Sequence, residues 1–239
     1  MKIDAQGKSF VDLNVEIRDC EDPEVFIERC VGQRYIATGL ADKKLVIEGT
    51  PGNALGAYLN GARIVLRGNA QEATGDTMNG GEIVVYGNAG DATGYAMRGG
   101  EIFVRGNVGY RCGIHMKAYK EHKPVVVVGG CAGSFLGEYQ AGGIIVVLGK
   151  DAKLPLVGNF CGTGMHGGEI YLRCNTLPKL LPAQVKAEKL DVLPEGEVRE
   201  LVRKWCELFN ERESEFLQSE YYRLTPNSEN PYKQMYTVN

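Results

Sequence analysis

An all-β fold, a parallel β-helix wound as a solenoid of 19-residue coils, is what this chain predicts. Three observations carry the expectation. From Leu45 to Asn107 the chain repeats itself as LVIEGTPGNALGAYLNGAR, IVLRGNAQEATGDTMNGGE and IVVYGNAGDATGYAMRGGE before IFVRGN begins again. Self-similarity at a fixed short period marks a repeat architecture. Glycine recurs in three registers, Gly49/Gly68/Gly87/Gly106, Gly56/Gly75/Gly94/Gly113 and Gly61/Gly80/Gly99, which reads as three short sides joined at three corners. The apolar runs are β-branched and carry no helical period.

Each unit contributes one four-residue side: Leu45–Glu48, Ile64–Arg67, Ile83–Tyr86 and Ile102–Arg105. Side chains alternate across a strand, so a polar fourth residue facing out places the first and third inward. Stacked units would then share one apolar core and exchange backbone hydrogen bonds, since no unit can bury its face alone. Asn69, Asn88 and Asn107 form a further ladder, whose amides can pair along the axis. Met78, Met97, Met116 and Met165 form another, best read as soft side chains filling an irregular interior.

In chain order, residues 1–38 read as an N-terminal cap. Phe10, Val11, Leu13, Val15 and Ile17 suggest a strand, and Asp22-Pro23-Glu24 suggests a helix start over Val25, Phe26 and Cys30. Such a cap would hide the open end from edge pairing. Residues 39–175 hold the repeats, with insertions at 117–124 and 150–160 of the kind that mark a binding face. Residues 176–239 lose the glycines: a linker, an amphipathic helix with Val198, Leu201, Val202, Trp205, Leu208 and Phe209 on one face, and a tail, Pro226 to Tyr232, read as turn-rich and extended. The helix is expected to dock on the repeats, being too short for its own core.

Composition excludes several classes. Net charge is −3 with no polybasic run, which argues against nucleic acid and anionic membrane as partners. No apolar run reaches the length of a membrane span, and MKIDAQGKSF lacks a signal-peptide core. The seven cysteines are odd in number and form no CxxC pair, as expected of small buried residues in a reducing cytoplasm.

Signatures of chemistry are scarce. The GNAG segments lack the Walker lysine pattern, and Gly133 to Gly137 lacks the spacing of a nucleophile elbow. Cys112, His115 and His122 are the one metal-like grouping. Yet Cys112 fills the slot of Thr74 and Thr93, which points to the core, and His166 reads as a turn residue. No catalytic, cofactor-binding or metal-binding residue is therefore expected. A row of apolar residues does suggest function. The second position of each side is apolar and outward: Val46, Val65, Val84, Phe103, Val127, Val146 and Tyr171. A contiguous row of that length needs a cover, either the C-terminal helix or another subunit.

The units of the form Gly87-Asn-Ala-Gly90-Asp-Ala-Thr-Gly94, and the run from Gly130 to Gly149, resemble the GXGXG domain that ends the large subunit of glutamate synthase. The resemblance covers about residues 32–175. It implies a right-handed β-helix without catalytic residues, a hand that agrees with the general preference of parallel crossovers. It also implies a stand-alone, non-catalytic scaffolding subunit. Its expected partners are glutamine amidotransferase and FMN-binding synthase subunits, between which ammonia passes, in glutamate biosynthesis in the cytoplasm, with a homo-oligomer of this chain left open beside them. FMN and an iron-sulfur cluster would belong to those partners. The β-helix subunit of formylmethanofuran dehydrogenase carries similar repeats and supplies an alternative context, and a free-standing β-helix enzyme or ligand binder a second.

Overall fold

The computed structural model describes residues 1–227. Two strands, β1 (Lys2–Asp4) and β2 (Glu24–Val31), precede the repeats, which form strands as expected: β3 (Lys44–Thr50), β4 (Asn60–Arg67), β5 (Gly80–Val85), β6 (Glu101–Val104), β7 (Val125–Val128), β8 (Ala141–Val147) and β9 (Gly167–Leu172). Two more follow, β10 (Val185–Leu190) and β11 (Tyr221–Pro226). Three helices complete the fold: α1 (Phe10–Asp19), α2 (Glu197–Phe209) and α3 (Glu213–Leu217). Neighbouring repeats pair in parallel at their sequence register, so Leu45 lies beside Ile64, Ile64 beside Ile83, and Ile83 beside Ile102.

The expected three-sided all-β solenoid is not what these strands build. They form one 11-stranded sheet in the order β1-β2-β3-β4-β5-β6-β7-β8-β9-β11-β10, open at both edges. The sheet is mixed, because β11 pairs antiparallel with both β9 and β10. The other two sides of each unit do not become strands. One is reduced to single bridges, Ala70 to Ala89 to Val108 to Ala132 to Val157. The remainder is turn, for a backbone reason. Ala54, Gly56 and Tyr58, and their copies Ala73, Gly75 and Thr77, are all left-handed, with φ between 51° and 70°. Left-handed residues at alternate positions curl the chain too tightly for a ladder.

The N-terminal assignments are interchanged. Residues 10–19 are helical, started by Ser9, whose hydroxyl accepts the Asp12 N–H at 3.1 Å. Leu13 and Ile17, one helical turn apart, are buried while Val11 and Val15 are exposed. Residues 24–31 are strand, because Val25 and Ile27 extend the inward rows of β3 at Leu45 and Ile47. The C-terminal helix stands where the 3.6-residue period places it, closed by left-handed Asn210. Of the expected tail, Pro226 ends β11, and the part beyond 227 lies outside the described residues.

Burial divides the molecule into two apolar clusters. The inner one takes the first and third residue of every repeat strand, the four ladder methionines, and residues from Ile3 to Leu224. The outer one lies on the opposite face of the sheet, between the second-position row and α2 and α3.

The glycine registers do different jobs. Gly56, Gly75, Gly94 and Gly113 are left-handed and face the inner cluster. A Cβ on Gly75 would stand 2.4 Å from the Ile102 side chain. Gly87, Gly106 and Gly130 have no positive φ. Their need is close approach, since a Cβ there would meet the Oδ1 of Asn69, Asn88 and Asn107 at 2.3, 2.3 and 2.1 Å.

Candidate functional site

The second-position row proves to be covered over most of its length by the chain itself. Val84, Phe103, Val127, Val146 and Tyr171 are buried against Val198, Leu201, Val202, Trp205, Phe209 and Phe216. Of the two covers that the sequence leaves open, the C-terminal helix takes this part. Trp205 is the anchor. Its indole N–H donates to the Val104 carbonyl at 3.0 Å, and its ring packs on Phe209 and Phe216 at 5.3 and 5.2 Å between centroids.

Room for the indole comes from Gly129, where a Cβ would stand 2.3 Å from Trp205 Cζ2. The same strand position is Arg67, Tyr86 and Arg105 in earlier repeats, so one glycine in a polar row was the sequence signal for the docked ring. Charged groups fix the helix laterally. Lys204 sits 2.6 Å from Glu82 and 2.5 Å from Glu101, and Lys123 lies 2.6 Å from Glu197. Burial draws the Lys204 ammonium down, but the hydrogen bonds it donates to Glu101 and Glu82 outweigh it and hold its pKa above the usual value.

Toward the N-terminal edge the row emerges from under the helix. Val65 is half-buried and Phe26 is 43% exposed, while Val46 between them stays buried.

The turn side of the sheet carries a second kind of surface. Tyr95, His115 and Tyr139 line up along the stacking direction. His115 lies flat on Tyr139 at 5.2 Å and 9°, and edge-on to Tyr95 at 6.0 Å. Beside them Phe135 and Phe160 stack at 5.1 Å, with the Arg111 guanidinium 5.0 Å above Phe135 and also paired to Glu138 at 3.0 Å. His115, Phe135, Tyr139 and Phe160 occupy left-handed backbone positions, which turn their side chains outward and repeat from unit to unit. Sequence reasoning missed these rows, because their members lie at glycine-flanked corners whose other copies are mixed, among them Ala, Thr, Asp and Arg.

The metal-like grouping is taken apart by the fold. Cys112 is buried in the inner cluster, where loss of water pushes its thiol up to about 12. Thr74 and Thr93 fill the same slot, their hydroxyls donating to Gln71 and Gly90 carbonyls at 3.0 Å each. His115 faces outward in the aromatic stack, and His122 lies in the turn of the first insertion, bridged to Tyr119. His166 stays at a glycine corner with Nδ1 3.1 Å from the Gly164 carbonyl. Among the described residues no three His, Cys, Asp or Glu side chains converge on a common point. Nor is any described helix long and apolar enough to cross a membrane.

With glycine ladder, asparagine ladder and repeat register in view, comparison with known proteins is decisive on one point. The GXGXG motif pattern matches residues 4–228. The chain belongs to the GXGXG motif family. This is the domain type found in glutamate synthase-like proteins. An uncharacterized protein of Methanocaldococcus jannaschii is 41% identical over 249 residues, covering 98% of this chain and 95% of its own length. The family match extends past the repeats on both sides, from Asp4 at the end of β1 to beyond β11. That agrees with the inner cluster, which draws on all three stretches of the chain.

Proposed function

We propose that this GXGXG chain is a non-catalytic scaffolding subunit of a glutamate synthase-like complex. Its partners are a glutamine amidotransferase and an FMN-binding synthase subunit, with the FMN and an iron-sulfur cluster held by those partners. The observation that carries the reading, beyond family membership, is the pair of exposed aromatic rows on the turn side. Tyr95, His115, Tyr139, Phe135 and Phe160 are held by stacking on a repeating backbone, so they lose little side-chain freedom when covered. Aromatic and arginine side chains of this kind are the residues that anchor protein interfaces. The emergent end of the second-position row at Val65 and Phe26 offers a further apolar contact.

The test is co-expression with an amidotransferase and an FMN synthase subunit of the same organism, followed by size-exclusion chromatography. A joint peak that Tyr139→Asp with Phe160→Asp disperses, without lowering the melting temperature of the isolated chain, supports the reading. Elution of the wild-type chain apart from both partners refutes it.

A further inference from the structure

The asparagine ladder has a chemical polarity that its role in the fold leaves unused. Each carboxamide oxygen is committed. Asn69 Oδ1 accepts the Asn88 N–H at 2.8 Å, Asn88 Oδ1 accepts the Asn107 N–H at 2.8 Å, and Asn107 Oδ1 accepts the Cys131 N–H at 2.7 Å. With every oxygen turned to the backbone, every NH2 is turned away from it, and no described protein atom accepts from these groups. The orientation follows from the donors being backbone N–H groups, which can only pair with the oxygen.

Asn88 and Asn107 form the floor of a groove of about 510 Å³, whose walls are Tyr86, Arg105 and the second insertion, Lys150 to Leu154. The insertion is held over the floor by backbone. Gly149 N–H donates to the Gly130 carbonyl at 3.1 Å and Lys150 N–H to the Gly129 carbonyl at 2.7 Å, while Ala132 N–H donates to the Leu156 carbonyl at 3.0 Å.

The lining is electropositive. It holds Arg105, Lys150 and Lys153 against one carboxylate, Asp151, which reaches into solvent from its pairing with Lys150 at 2.7 Å. Glu211, just past the end of α2, pairs with Arg105 at 3.4 Å and Lys150 at 3.5 Å from outside the groove lining. Lys153 makes no ion pair among the described residues. A concavity of this size, lined by amide and cationic donors with a single carboxylate, suits a ligand that is all acceptor.

We propose that the groove over Asn88 and Asn107 binds an oxyanion, the phosphate or carboxylate group of a small molecule, with the Asn Nδ2 groups, Arg105 and Lys153 as donors. The insertion at 150–156 acts as its wall. The site belongs to this chain alone and does not depend on the scaffolding role.

Isothermal titration of the full chain with inorganic phosphate, pyrophosphate and succinate tests it. Saturable binding in the millimolar range or tighter is expected for at least one of them. A response to the phosphates only assigns a phosphoryl ligand, and a response to succinate only assigns a carboxylate. Asn107→Asp keeps the oxygen that Cys131 needs but removes the donor, and should weaken binding about tenfold or more. Lys153→Gln, on an exposed side chain that leaves folding untouched, should weaken it several-fold. Absence of saturable binding to all three probes overturns the proposal, as does binding that neither substitution changes.

Discussion

The inner and outer apolar clusters are built on two faces of one sheet, yet they are specified in opposite ways. The inner cluster is redundant. Every repeat supplies the same pair of inward side chains, one left-handed glycine facing them, and in most repeats one methionine. Its energy is spread over neighbours, so each rung supports the next. The outer cluster hangs on a single helix and, within it, on Trp205. A distributed core should lose stability locally and gradually, whereas an anchored one should fail as a unit.

The largest effect should therefore come from the anchor. Trp205→Ala removes a wholly buried indole and is expected to cost about 3–5 kcal/mol. Hydrogen exchange should show α2 and α3 losing protection while β3 to β6 keep theirs. Uniform loss across the sheet would dissolve the distinction between the clusters. Next, Gly94→Val strikes the inner cluster. It forces a β-branched residue to φ +72°, with its Cβ 3.1 Å from both Val126 Cγ2 and Met97 Sδ. A loss of about 2–4 kcal/mol is expected from strain and overpacking together, read by thermal denaturation. An unchanged midpoint would mean that glycine is not needed there.

Acid should separate the two regions more gently. Glu169, next to Tyr171 in the outer row, is raised by burial, but hydrogen bonds from Arg223 and Tyr171 outweigh that and leave its carboxyl below the ordinary range. A lowered folded pKa gives stability that is present above about 4.3, the unfolded value, and lost as pH falls through the folded one. The β9–β11 junction should loosen first on acidification, and Glu169→Gln should flatten that response, as followed by exchange in β11. If the wild type and the variant respond to acid alike, Glu169 is not the group responsible.

The smallest effect is expected at Gln140, a polar residue in the slot held by Leu59, Met78, Met97, Met116 and Met165 in other repeats. Its Nε2 caps the Gly142 and Gly143 carbonyls at 3.2 and 3.1 Å while its buried Oε1 has no partner. Gln140→Met forgoes the first and removes the second, so the net change should stay within about 1 kcal/mol. A larger shift in the midpoint would show that the bulge in β8 depends on that amide.

How legible the molecule was follows from the same contrast. Inward and outward positions of every repeat strand could be read from Leu45 onward, because period and alternation are local. The C-terminal helix was legible from Val198 to Phe209 for the same reason. The closed three-sided form was not, because corner glycines announce a bend without saying whether the residues between bends extend or curl. Ala54 and Tyr58 carry no sign of their left-handed backbone. At the N-terminus, Phe10 to Ile17 fits both periods, and Ser9 with Asp12 was the overlooked helix start. The outer row was legible as apolar, but its cover became clear only when Gly129 was seen to seat Trp205. The donor-lined groove was invisible beforehand, since it depends on which way the amides of Asn88 and Asn107 turn.

The reversal at the end of the sheet has a consequence of its own. A stack of parallel, registered strands is a template that a second molecule could prolong indefinitely. Here β11 runs against the parallel stack, and the terminal strand beyond it, β10, presents Lys186, Glu188 and Lys189 rather than another apolar rung. Growth by end-to-end addition is blocked at that edge, which turns an open-ended pattern into a ruler of set length.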